Sequence, residues 1–171
     1  PPAYGTTTVT SAGGHVGHPF VPLHYVDVRV FGAALTEVPI QAAINSLDNT
    51  VGGTIFIPAG TYVITNNLYV YGKSNVKIVG AGMGRTILDG SNATEQSNAP
   101  AGTSLAGILN VWGLDVGNGA TDVDTGNPTN LTISDFSIKG SNGETKDQHL
   151  LSVGRITGFT MERVRIYHPN A

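Results

Sequence analysis

Apolar and β-branched residues run along the middle of this chain in bursts of three or four: Thr54–Ile57, Tyr62–Thr65, Leu68–Tyr71, Val76–Val79 and Thr86–Leu88. Gly, Pro, Asn or a Lys-Ser pair separates each burst from the next. None is long enough for a helix, and none has an apolar period of 3.6 residues. Each is therefore predicted to be a short strand with side chains pointing alternately in and out. Strands this short do not stand alone, and the breaks between them are too irregular for a meander of hairpins. A chain that winds into a coil and stacks on its own next turn would bury them.

Two later segments support the coil. Asn130–Gly140 (NLTISDFSIKG) superposes on Gly158–His168 (GFTMERVRIYH) at an offset of 28 residues. Leu131 then meets Phe159, Ile133 meets Met161, Phe136 meets Val164 and Ile138 meets Ile166, so all four pairs are expected in the core. An earlier rung, Asn75-Val-Lys-Ile, matches Asn130-Leu-Thr-Ile at an offset of 55, and Leu88-Asp-Gly90 matches Ile138-Lys-Gly140 at 50. The five-residue slip falls on the GAGMG segment and predicts a wider corner there. Ile108–Trp112 is a further strand; the single tryptophan reads as core, with a sugar-stacking platform at a strand end as the other reading.

Upstream, Tyr25–Phe31 alternates as a strand, and a helix follows over residues 37–48. Thr36 suits its N-cap, Glu37 sits where a carboxylate favours the dipole, and Pro39 is early enough to be tolerated. Ile40, Ala43, Ile44 and Leu47 form one apolar face. The open end of a coil exposes a core and unpaired strand edges, and this helix is placed to cover them.

The stretch GGTIFIPAGTYVI (residues 52–64) followed by SNVKIVGAGMGRTIL (residues 74–88) resembles the opening of the pectate-lyase superfamily. VRVFGA (residues 28–33) and IQAAI (residues 40–44) resemble that family's first strand and cap helix. The likeness covers residues 26–90 by motif and the remainder by repeat. It implies an all-β fold, a right-handed parallel β-helix (a single-stranded solenoid) with a short N-terminal capping α-helix. The family includes polysaccharide lyases, glycoside hydrolases, uronate epimerases, phage tailspikes and non-catalytic adhesins. The resemblance thus implies the N-terminal part of an extracellular carbohydrate-active or carbohydrate-binding β-helix, its partner a polysaccharide. The other reading is a non-catalytic structural or adhesive module of a virion or cell surface. Tailspike-like relatives associate in threes, so a homo-trimer or larger assembly is expected. This chain departs from the family between FGA and the helix, where only Leu35 and Thr36 remain of a longer acidic loop.

Composition narrows this picture. Of 171 residues only 12% are charged while 23 are Gly, which suits many turns and stacked strands. The net charge of −3 gives no basic face for nucleic acid. There is no cysteine, so no disulfide scaffold, Cys-ligated zinc or thiol nucleophile. No apolar run reaches the length of a membrane span. Residues 1–24, rich in Pro, Gly, Thr and His, read as an extended arm, and 25–171 as coils that continue in a longer parent. His15, His18 and His24 in the arm read as solvated rather than as metal ligands, with no acidic residue nearby to complete a site. Asp122-Val-Asp124-Thr-Gly126-Asn127 superficially resembles a calcium loop, but the Gly is one place early and position twelve falls on Ile133, so a turn is expected and no cofactor is assigned. Asn92-Ala-Thr94 and Asn130-Leu-Thr132 match the glycosylation pattern, as expected by chance in an Asn- and Thr-rich chain.

Inward residues carry packing, so chemistry belongs to outward positions and corner loops. Lys139, Arg165 and Tyr167 share the outward parity of the last two rungs. Two cations and an aromatic ring on one face form a candidate site for an acidic sugar chain, against a solvated flank as the plainer reading. Asp135 aligns with Arg163, which predicts a salt bridge between rungs. Catalytic residues are not assigned. The aligned outward pairs Thr132/Thr160, Ser137/Arg165 and Lys139/Tyr167 contain no carboxylate pair, so residues 1–171 alone are expected to be inactive.

Overall fold

The computed structural model describes residues 24–93, 107–112, 128–141 and 149–168. Its strands are β1 (Tyr25–Asp27), β2 (Gly53–Ile57), β3 (Gly60–Val63), β4 (Leu68–Tyr71), β5 (Val76–Gly80), β6 (Thr86–Asp89), β7 (Gly107–Trp112), β8 (Thr129–Lys139), β9 (His149–Gly154) and β10 (Thr157–Tyr167). All pairings between these strands are parallel. One side stacks β1, β2, β5 and the first half of β8; the second stacks β3, β6 and the second half of β8; β10 lies along the whole of β8. The third side is β4, β7 and β9. This is an all-β parallel β-helix of three coils and the start of a fourth.

The register follows the repeat read from the sequence. Leu131 faces Phe159, Ile133 faces Met161 and Ile138 faces Ile166, each 28 residues on. Ile78 pairs with Ile133 at an offset of 55, and Leu88 with Ile138 at 50. The lost five residues lie between Gly80 and Thr86, where Gly82 N–H donates to the Asp135 carbonyl across a wide corner. β8 and β10 turn that corner on a single left-handed residue each, Asp135 (φ 63°) and Arg163 (φ 49°). Gly80 is obligatory at the crossing: a Cβ there would meet the Asp135 carbonyl oxygen at 2.3 Å. Inside, Ile55, Ile78 and Ile133 stack in one column and Tyr62, Leu88 and Ile138 in another, all buried.

The helix α1 (Glu37–Ser46) closes the first coil, ending two residues before the sequence-based boundary. Thr36 is its N-cap, accepting from Val38 N–H at 3.4 Å, and Ile40, Ala43, Ile44 and Leu47 are buried over the core. Each strand of the first coil has its outer edge covered. β2 is paired by β1, and Val63 N–H of β3 donates to the Leu35 carbonyl at 2.9 Å. The edge of β4 meets a side chain instead: the Gln41 amide accepts from Tyr69 N–H at 2.8 Å and donates to the Tyr69 carbonyl at 3.0 Å, as a peptide on a neighbouring strand would. Glu37 is buried at the helix start and accepts from Thr65 and Asn66. Burial pushes its carboxyl up, but bonds from its own N–H, Asn66 and Thr65 outweigh that and hold it below the usual range. At the other end the Lys73 ammonium donates to the Leu47 carbonyl at 2.6 Å, satisfying a C-terminal acceptor.

Four expectations need correction. The strand from Tyr25 ends at Asp27, and Val28–Phe31 is a 3-10 turn. The Asp27 carboxylate caps it by accepting from Arg29 N–H at 2.9 Å, which leaves Val30 and Phe31 exposed despite the apparent alternation. Tyr62–Thr65 is shifted: β3 starts at Gly60 and stops at Val63. Met161 is in register with buried Ile133 but is itself 48% exposed, because β10 is paired on one side only among the described residues. Strand β9 escaped the sequence reading because adjacent Leu150 and Leu151 break the alternation that marks a strand.

Candidate functional site

The three outward residues chosen from sequence come together at the end of the second side. Val63, Asp89, Lys139 and Tyr167 lie in successive register across β3, β6, β8 and β10. Ile87, Ser137 and Arg165 form the neighbouring column. The Arg165 guanidinium carbon sits 4.3 Å from the centroid of the Tyr167 ring, a cation–π stack. Stacking uses the face of the guanidinium and leaves its in-plane N–H donors directed outward. Arg165 has no carboxylate within ion-pair distance among the described residues.

Lys139 is differently placed. Its ammonium is 2.8 Å from Asp89 Oδ2, with the side chains 29% and 16% exposed respectively. Asp89 Oδ1 also accepts from Ser91 N–H at 3.1 Å and Ser91 Oγ–H at 2.5 Å. Burial raises the Asp89 carboxyl, but the bonds from Lys139 and Ser91 prevail and hold it below the usual carboxylate range. The same hydrogen bond raises the Lys139 ammonium. Asp89 balances one of the two cations, so Arg165 carries the unbalanced charge of the cluster. Beside them, exposed His168 has its Nδ1 3.0 Å from the Ser141 carbonyl, which makes Nδ1 the protonated nitrogen. Its ring lies so close to Gly140 that a Cβ there would meet it at 2.5 Å.

Asp89 and His168 were missed as site members although both were within reach. The offset of 50 that set Leu88 against Ile138 also sets Asp89 against Lys139, and His168 closes the aligned repeat opposite Gly140. Ser137 has outward parity but is buried, with its oxygen accepting from Gly84 N–H of the wide corner at 3.3 Å. Trp112 ends β7 in register with Tyr71 and Gly154. His15, His18, Asp122 and Asp124 lie outside the described residues.

The predicted bridge between rungs is present. Arg163 Nε is 2.5 Å from Asp135 Oδ1 and Nη2 is 2.8 Å from Oδ2, and Nη1 reaches Glu162 at 3.4 Å. Asp135 and Glu162 thus share one guanidinium. The hydrogen bond from Arg163 brings the Asp135 carboxyl down to about 2, so at neutral pH it holds no proton to donate to a glycosidic oxygen. The arrangement on the other column suits recognition of an anion better than cleavage by paired carboxylates.

Fold and surface together define a parallel β-helix with an outward cation–aromatic platform. The chain belongs to the family of rhamnogalacturonase A/epimerase, pectate lyase-like proteins, which it matches over residues 25–166. Among curated proteins it is similar to alginate lyase 7 of Azotobacter vinelandii, 32% identical over 127 residues, covering 70% of this chain and 12% of that protein. It is 42% identical over 64 residues to mannuronan C5-epimerase AlgE3 of the same organism, covering 33% of this chain and 3% of that protein. With mannuronan C5-epimerase AlgE2 it shares 29% identity over 131 residues, covering 70% of this chain and 11% of that protein. The chain therefore spans a small part of the length of the relatives it matches.

Proposed function

We propose that this chain forms the first coils of an extracellular β-helix protein that acts on a uronate-bearing polysaccharide. In this reading Arg165, Tyr167 and Lys139 make up a contact surface for the polymer. The observation that carries it is Arg165, stacked on Tyr167 with no carboxylate partner among the described residues. A guanidinium held flat on a ring presents two parallel N–H donors to a carboxylate, and the ring adds a surface against which a sugar can lie. Relatives named for alginate and mannuronan, both polymers of uronate sugars, support the substrate class.

The test is binding of the purified chain to alginate oligomers, with neutral dextran oligomers as the control, by calorimetry at two salt concentrations. Alginate should bind and dextran should not. A charge-assisted hydrogen bond is worth about 1.5 kcal/mol or more, so Arg165→Gln should weaken alginate binding roughly tenfold. Equal affinity for the two polymers, or unchanged binding by Arg165→Gln, would overturn the proposal.

A further inference from the structure

We infer that Asp89 is an affinity-setting residue of this surface: it occupies the Lys139 ammonium and so withholds it from an incoming carboxylate. This rests on the reading of the Arg165 platform as a polyuronate contact. Two cations of one face stand in different states. Arg165 has its donors open, whereas Lys139 is engaged by Asp89 at 2.8 Å. Asp89 is in turn fixed by two bonds from Ser91, so the carboxylate does not swing away with its partner. Lys139 therefore stands beside Tyr167 in register, close to any polymer lying on that ring, yet with its charge already answered.

A polymer carboxylate reaching Lys139 must compete with Asp89, and it also feels the Asp89 charge directly. Both effects weaken binding of an acidic chain and leave a neutral one untouched. The charged groups facing Lys139 are Asp89 on β6 and, on β10, Arg165 next to Tyr167; Glu162 is engaged with Arg163, at the corner with Asp135. Asp89 is thus the one anion in this register column among the described residues. Its effect is to make the surface selective: one strong contact at Arg165 and a second that engages only where the polymer's charge density is high.

Asp89→Asn keeps shape and the Ser91 contacts while removing the charge, and Asp89→Ser is a second variant should the first misfold. Either should tighten binding of alginate oligomers by about two- to fivefold, the range expected for releasing one exposed ion pair. Each should also steepen the dependence of log affinity on log salt by about one, because one more protein cation engages the polymer. Dextran should stay unbound. In a Lys139→Gln background the same substitution should give no steepening of the salt dependence and a smaller gain, which separates release of Lys139 from a general change of field. Unchanged or weaker alginate binding by both Asp89 variants, with Arg165→Gln still weakening it, would overturn this inference alone. An equal gain with and without Lys139 would overturn it as well. Loss of any effect at Arg165 would instead remove the underlying reading.

Discussion

Replacing Gln41 by Ala removes a side chain that imitates a strand. Its amide makes both hydrogen bonds that Tyr69 would otherwise exchange with a neighbouring chain, at 2.8 and 3.0 Å. A net hydrogen bond contributes about 1 kcal/mol, and the Tyr69 peptide is only partly accessible to water once the amide is gone, so the expected loss is about 2 kcal/mol. For a chain of this length that corresponds to a fall in Tm of about 4–8 °C. Gln41→Glu keeps the acceptor for Tyr69 N–H but sets a carboxylate against the Tyr69 carbonyl. It should be at least as damaging at neutral pH, and should recover as the pH falls and the acid regains a donor. Urea titration gives the energy, and amide exchange gives the location, since Tyr69 N–H should lose protection more than its neighbours. Asn45→Ala, which removes the Gln41 partner at 3.0 Å but leaves Tyr69 bonded, is the control. If Gln41→Ala costs no more than that control, or leaves exchange at Tyr69 unchanged, the edge-covering role is wrong.

Ile133, fully buried between Ile78 and Met161, should lose about 3–5 kcal/mol as Asp, while outward Thr132→Asp should lose under about 1; equal effects in denaturant would show the parity to be inverted. Asp135 has its folded pKa lowered from an ordinary 3.8 to about 2 by the Arg163 hydrogen bond, so its contribution to stability is present above 3.8 and lost as pH falls through about 2. Arg163→Gln should flatten that acid limb, and high salt should do the same in the parent chain. The 171-residue polypeptide should self-associate through β10, where Met161 and Ile166 are 48% and 40% exposed; a well-behaved monomer on sedimentation would refute this. It should release no unsaturated uronide from alginate, as followed by ultraviolet absorbance, and any such release would refute the binding-only role given to its described surface.

Where strands repeat, the chain betrays its own pairing. Eight apolar residues at one spacing sufficed to place Leu131 on Phe159, and two mismatched offsets located the corner at Gly80–Thr86. The site was half legible for the same reason: Lys139, Arg165 and Tyr167 follow from parity. The state of each charge did not. Whether Lys139 is open depends on a carboxylate 50 residues earlier, and whether Arg165 is open depends on a ring two residues later. Local capping also defeated the pattern. Asp27 turns V-R-V-F into a 3-10 turn because its carboxylate offers the backbone a closer partner than the next strand. Lys73 reads as an exposed cation in sequence and is instead the stopper on a helix end, since that carbonyl had no other donor.

Paired residues on β2 and β5 are 23 positions apart, while those on β5 and β8 are 55 apart, yet the strands remain in step. The stack is thus indifferent to how much chain leaves and returns between rungs. Closing a loop costs entropy that grows only with the logarithm of its length, about 0.6 kcal/mol for each doubling. A foreign peptide spliced between Trp112 and Pro128 would therefore be carried at small cost and would leave the spacing of Asp89, Lys139 and Tyr167 untouched. The coil behaves as a ruled scale on which the marks are fixed and the margins are free, which makes it a scaffold for display as well as a surface for binding.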